Sequence, residues 1–232
     1  MTVTADDGDG YPSMEELLAQ EAAVQGRVLA AVTVGLRQGH ATVVGAACDS
    51  GLLDEVPKIL LELWDLSEID AATLAAVLPE VWIVNPSPVS SIGKREWLRL
   101  FKAAGYYHYL YREVALEYAQ ELEPTKYPLV RALDRPEGPL TVWRGASIED
   151  AGRGMSWSVH RACALDFAER ILAPVSGLYM AEVPGRAILA VFGDEREQEV
   201  VVNPNMLRGR VTLAQTVETG FEPRRFTFRT PP

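Results

Sequence analysis

Three short polar insertions between residues 140 and 203 carry residue types that can do chemistry together: Arg144-Gly145, Ser156-Trp157-Ser158 and Glu197-Gln198-Glu199. Each sits at the edge of an apolar run. Arg144 follows Leu140-Thr-Val-Trp and precedes Gly145, so a strand there would deliver a guanidinium beside open backbone. Guanidinium binds phosphate oxygens bidentately and glycine leaves its N–H unobstructed, a pairing that suits a phosphate or diphosphate. If their segment is extended, Ser156 and Ser158 share one face and Trp157 takes the other. Glu199 directly precedes Val200-Val-Val202 and is held at a strand start, whereas Glu197 stays in the preceding loop. A carboxylate so fixed either stabilises developing positive charge or has its pKa raised by the apolar surroundings. Taken singly, each insertion also reads as surface: an arginine at a strand end, a hydrated strand face, an acidic turn over 193–199. Only the ordered combination argues for a site.

Other chemistries lack their residues. His40, His108 and His160 are isolated, with no HExxH and no second ligand at metal spacing, which speaks against a zinc or iron hydrolase. There is no GxSxG elbow, no GxxxxGK[ST] loop and no GxGxxG fingerprint. Cys48 and Cys163 form no CxxC and are expected to be buried thiols.

The elements that must position these residues fall into two kinds. Before residue 126 the pattern is helical. Ser13-Met-Glu-Glu16 is a capping box, and Leu17, Leu18, Val24, Val28, Leu29, Val32 and Leu36 form a stripe that Gly39 stops. Residues 40–48 fit strand or helix. Helices are predicted over 52–64, with Pro57 in the first turn, over 70–84, over 94–104 with Trp97, Leu100, Phe101 and Ala104 on one face, and over 110–122. The tyrosines at 106, 107, 109 and 111 have few basic neighbours, so packing is preferred to base stacking. After a proline-rich stretch at 123–139 come β-like runs at 140–143, 155–158, 178–183, 187–192, 199–203, 209–217 and 225–229. One helix, 160–172, interrupts them, with Cys163, Phe167 and Ile171 at helical spacing. The expected class is α+β: a disordered terminus over 1–10, a helical region over 11–125, and a mixed or antiparallel β-rich domain over 139–232 on which the helical half packs.

Among 232 residues the net charge is −10, and 144–232 hold 11 Arg against 11 Asp and Glu, so the amino-terminal part carries all of it. An acidic chain repels a phosphate backbone, so a protein or small-molecule partner is expected rather than nucleic acid. No basic, apolar leader opens the chain and no apolar run is long enough for a membrane span. A cytoplasmic protein is expected, with export by a route that needs no cleavable signal left open, as is the oligomeric state.

Arg-Gly after a strand, Ser-Trp-Ser opening another and Glu-x-Glu entering a valine-rich strand resemble the Arg–Ser–Glu class of ADP-ribosyltransferases, the cholera-toxin-like and arginine-specific type. The resemblance covers about residues 139–217 and implies an ADP-ribosyltransferase-like sheet, NAD as co-substrate and no metal. It implies that Arg144 holds the NAD phosphates and ribose, and that Gly145 contributes backbone contacts to the nicotinamide amide. By the same likeness, Ser156, Trp157 and Ser158 brace the nicotinamide pocket and Glu199 binds the nicotinamide-ribose 2′-hydroxyl as the catalytic carboxylate. Glu197 would orient or deprotonate an acceptor guanidinium. Trp157 stands where threonine is usual, and the loop before Glu197 shows no protruding aromatic, Phe192 being expected in the core. The implied activity is mono-ADP-ribosyl transfer to a protein, arginine foremost, with nicotinamide released. NAD glycohydrolysis, a non-catalytic ADP-ribose or partner-binding module, and transfer to a nucleic-acid base are the alternatives.

Overall fold

A computed structural model of the chain describes residues 12–85, 88–109, 135–150, 152–192 and 199–221. The expected disordered terminus, the helix over 110–122, the run at 225–229 and Glu197 lie outside them. The chain divides into two compact units, Met1–Gly93 and Lys94–Pro232, so the helix over 94–104 belongs with the sheet.

The first unit is helical: α1 (Met14–Arg37), α2 (Val44–Asp49), α3 (Val56–Asp65), α4 (Ala71–Val84) and α5 (Pro88–Ile92). Local chemistry sets the ends. Ser13 and Glu16 form the reciprocal capping box of α1, and Asp70 accepts the Thr73 N–H at 2.7 Å to open α4. The ambiguous stretch 40–48 is a 3-10 turn, Ala41–Val43, running into α2. Val32 and Leu36 of α1 are buried with Val44, Leu60, Leu74 and Leu78, whereas Leu17, Leu18 and Val24 of the predicted stripe are exposed. Cys48 is also exposed, against expectation, because α2 buries Val44 and Ala47 instead.

The second unit opens with α6 (Lys94–Ala104), which buries the expected Trp97, Leu100, Phe101 and Ala104. Its sheet comprises β1 (Tyr107–Tyr109), β2 (Leu140–Ser147), β3 (Ser156–Ser158), β4 (Val175–Val183), β5 (Ile188–Phe192), β6 (Glu199–Val202) and β7 (Val211–Glu218). The strand order is β1-β5-β6-β3-β2-β4-β7. Among the described residues only β1 runs parallel to its neighbour; the other pairs are antiparallel. One face carries a core of Val142, Trp157, Tyr179, Ala181, Val200 and Val202. On the other, α7 (Arg161–Glu169) lays Ala164 and Ala168 over Leu178 and Val217.

The buried side of α7 is therefore not the predicted Cys163–Phe167–Ile171 stripe; Phe167 is 55% exposed. Gly145 explains the choice. A Cβ at Gly145 would overlap the Ala164 carbonyl oxygen and the Ala168 nitrogen, so the helix backbone rests on the strand and only alanine fits beneath it. Ser176 on β4 latches it by donating its hydroxyl to the Ala168 carbonyl at 2.7 Å. Among the described residues, no helix is long and apolar enough to cross a membrane.

Candidate active site

Arg144-Gly145, Ser156-Trp157-Ser158 and Glu199 land on neighbouring strands. β6, β3 and β2 are consecutive in the sheet, although β4 and β5 separate β3 from β6 in sequence. Trp143 pairs with Ser158, Ser158 with Glu199, and Glu199 with Phe192, so one row crosses four strands. Directly paired residues share a face and side chains alternate along a strand. Trp143, Gly145, Ser156, Ser158 and Glu199 therefore share one side of the sheet.

That side is covered at both flanks. Over β2 and β4 lies α7; over β5 lies α6, whose Phe101 meets Phe192 edge-on with ring centroids 6.5 Å apart. The strip between, on β3 and β6, has the fully buried Val201 as its floor and presents partly exposed Ser156, Ser158 and Glu199. The Ser158 hydroxyl accepts the His160 N–H at 3.0 Å, which turns the chain from β3 into α7. Arg161, at the start of that helix, holds its guanidinium 5.7 Å from the Trp143 ring centre and donates to Gln215 Oε1 at 2.6 Å. It is a cation on the serine and glutamate side that the sequence patterns did not single out. The pairing of Trp143 with Ser158 brings it there, and that pairing follows only from the sheet.

Arg144 leaves β2 on the opposite side, among Val142, Trp157 and Tyr179. Its guanidinium is largely enclosed, the side chain being 24% exposed. Nη1 donates to the Ser156 carbonyl at 2.6 Å, and Nη2 meets Asp150 Oδ2 at 3.3 Å. Gly154 makes the space, because a Cβ there would overlap the guanidinium itself. Asp150 also faces Lys94 Nζ at 3.6 Å, and Lys94 donates to the Arg153 carbonyl at 3.2 Å. Arg144 thus ties the loop 148–155 and the start of β3 onto β2. Trp157 points into the same core and secures that loop through Nε1 to the Gly154 carbonyl at 3.0 Å.

Of the sequence-selected residues, then, Ser156, Ser158 and Glu199 are brought together on one side. Arg144 and Trp157 brace them from the other. Gly145 is on the shared side, but α7 occupies the space its missing side chain leaves. Glu197 falls outside the described residues. Two buried polar atoms, Arg144 Nε and His160 Nε2, have no hydrogen-bond partner among the described residues. They belong to groups at the two ends of β3, Arg144 bonding Ser156 and His160 following Ser158 by two residues. Neither Asp150 nor His160 stood out in the sequence, since a lone aspartate and a lone histidine carry no spacing signal. Among the described residues no group of three or more His, Cys, Asp and Glu is placed to hold a metal. No family model, no curated protein and no solved structure matches the chain.

Proposed function

We propose that the chain is an NAD-dependent mono-ADP-ribosyltransferase acting on a protein, with arginine as the acceptor side chain, on an ADP-ribosyltransferase-like sheet. The observation that carries the reading is the Ser158–Glu199 pairing on adjacent strands. It sets the Ser-x-Ser motif beside Glu199, the last residue of Glu-x-Glu, in a strip flanked by two helices, with the motif arginine fastening the start of the serine strand. The unused hydrogen-bonding capacity of His160, two residues beyond Ser158, suits a polar ligand laid along that strand.

In this reading NAD lies along the strip, its nicotinamide end toward Ser156, Ser158 and Glu199. The glycosidic bond between nicotinamide and ribose breaks and the bonding electrons leave with the pyridinium nitrogen, so nicotinamide departs neutral. Positive charge grows on the ribose, and the carboxylate of Glu199, fixed at a strand start, offsets it. The acceptor guanidinium nitrogen then bonds the ribose carbon and gives its proton to Glu197. Arg144 acts chiefly by positioning Ser156, and the diphosphate has Arg161 as the nearest guanidinium on its own side of the sheet. The diphosphate contact that the motif resemblance implies for Arg144 is not used in this reading, because its guanidinium lies on the other side of the sheet, bonded to the Ser156 carbonyl and Asp150. The mechanism needs no metal and no nucleophilic serine.

Incubation of the full chain with labelled NAD and a bacterial lysate tests it, with mass spectrometry of the labelled proteins. Labelled arginine with wild type, and none with Glu199→Gln, is the expected result. Nicotinamide release without labelled protein would replace transfer by glycohydrolysis. If neither protein binds or consumes NAD, the proposal fails.

A further inference from the structure

The sheet unit holds a second concave site, on the other side of the sheet from Ser158 and Glu199. It is a cavity of about 610 Å³ lined by the amino-terminal turn of α6, the loop before β3 and the turn between β6 and β7. Gly152 in its wall lies against Tyr179 and Val211, and Tyr179 pairs with Arg144, which fixes the side. Four cationic residues line it, Lys94, Arg95, Arg153 and Arg208, and no carboxylate does among the described residues. They come from three separate segments of the chain. Their clustering is therefore a product of the fold and not of a basic run in the sequence.

Two of these cations are uncommitted. The side chains of Arg153 and Arg208 are exposed and make no ion pair or hydrogen bond among the described residues, while Lys94 meets Asp150 and Arg95 meets Glu96. The floor is apolar: Leu207 is buried in the sheet core and Val211 packs against it. An inorganic anion would use only the rim. A cationic rim over an apolar floor, in a volume within the roughly 300–1,000 Å³ usual for small-molecule pockets, matches an organic group bearing phosphates.

We propose that this cavity binds a phosphorylated small molecule of the nucleotide class, its phosphates on Arg153 and Arg208 and its organic part against Leu207 and Val211. The site is independent of the transferase reading, because none of Ser156, Ser158, Arg161 and Glu199 lines it. Its wall does connect to the brace described above, since Lys94 faces Asp150 and Asp150 holds Arg144.

Calorimetric titration of the full chain with ADP and with inorganic pyrophosphate tests the proposal. Binding of ADP tighter than pyrophosphate is expected, and the double variant Arg153→Gln/Arg208→Gln should weaken ADP by at least about tenfold with an unchanged melting temperature. Arg153→Glu/Arg208→Glu should weaken it further. Absence of ADP binding to wild type overturns the proposal, as does ADP binding that survives both double variants, which would put the nucleotide elsewhere. Equal binding of pyrophosphate and ADP overturns the assignment of the apolar floor. None of these results depends on turnover of NAD.

Discussion

Glu199 stands directly opposite Ser158 in the antiparallel register of β3 and β6, and Ser158 in turn faces Trp143 of β2. Opposed side chains on one face have Cβ atoms roughly 4.5–5.5 Å apart, close enough for a serine and a carboxylate to act on one bound group. The pairing is built by strands that the chain visits out of order. Between β3 and β6 it makes α7, β4 and β5 before returning to lay Glu199 beside Ser158.

Glu199→Gln keeps the shape and removes the charge. If Glu199 offsets positive charge on the ribose, nicotinamide release from NAD should fall by at least about 10²-fold. The melting temperature should stay within experimental error, because the residue is only partly buried at a strand start. Chromatographic assay of nicotinamide beside a thermal melt separates the two outcomes. A variant that retains full turnover removes Glu199 from the chemistry.

Gly145→Ala should destabilise the sheet unit by about 1–3 kcal/mol, the usual cost of forcing extra volume into a packed contact. The added methyl meets the backbone of α7 and no side chain can move aside for it. Ser176→Ala acts on the same contact from β4 by removing the hydroxyl donated to Ala168, at a cost of about 0.5–1.5 kcal/mol. Urea denaturation reads both. Because they share α7, their sum should depart from additivity.

Much of this architecture was legible residue by residue, for a physical reason in each case. The helix over 94–104 has the bounds expected from its apolar spacing, and α4 starts after its Asp70 cap. Each β run expected between 140 and 217 overlaps a strand, the last of them beginning at Val211 rather than at 209. What stayed illegible depends on partners far away in sequence. Tyr107–Tyr109 is too short to show a period and becomes a strand only by lying parallel to β5. The contact face of α7 is decided by Gly145, some twenty positions earlier, which admits alanine and turns Phe167 outward. The same holds at the site. The three motifs pointed to Ser156, Ser158 and Glu199, but nothing in them says that Arg144 projects to the opposite side or that Asp150 takes its guanidinium.

Asp70 gives the helical unit a dependence on acid. Its carboxylate accepts the Thr73 N–H, which holds its pKa below the ordinary aspartate value. A depressed folded pKa means that the unfolded chain takes up the proton first as pH falls. The stabilisation is therefore complete above the unfolded aspartate range and lost as pH drops through the folded value. Asp70→Ala should lower the melting temperature near neutrality, and the gap to wild type should close in strong acid. A gap that stays constant down to that range would show that the cap bond is absent.

Arg144 and Gly154 should prove to be one structural device. Arg144 binds Ser156 and Asp150 at two points, and a lysine ammonium, being a single centre, cannot span them in the same way. Arg144→Lys should therefore cost about 1.5–3 kcal/mol, the range for hydrogen bonds to a charged group. Gly154→Ala should cost a comparable amount by pushing the guanidinium away from the carbonyl it bonds. The decisive measurement is the cycle between Arg144→Ala and Gly154→Ala. Once the guanidinium is gone, the methyl has open space, so the glycine substitution should lose most of its effect in that background. A cycle that closes additively would mean that Gly154 is required for some reason other than making room for Arg144.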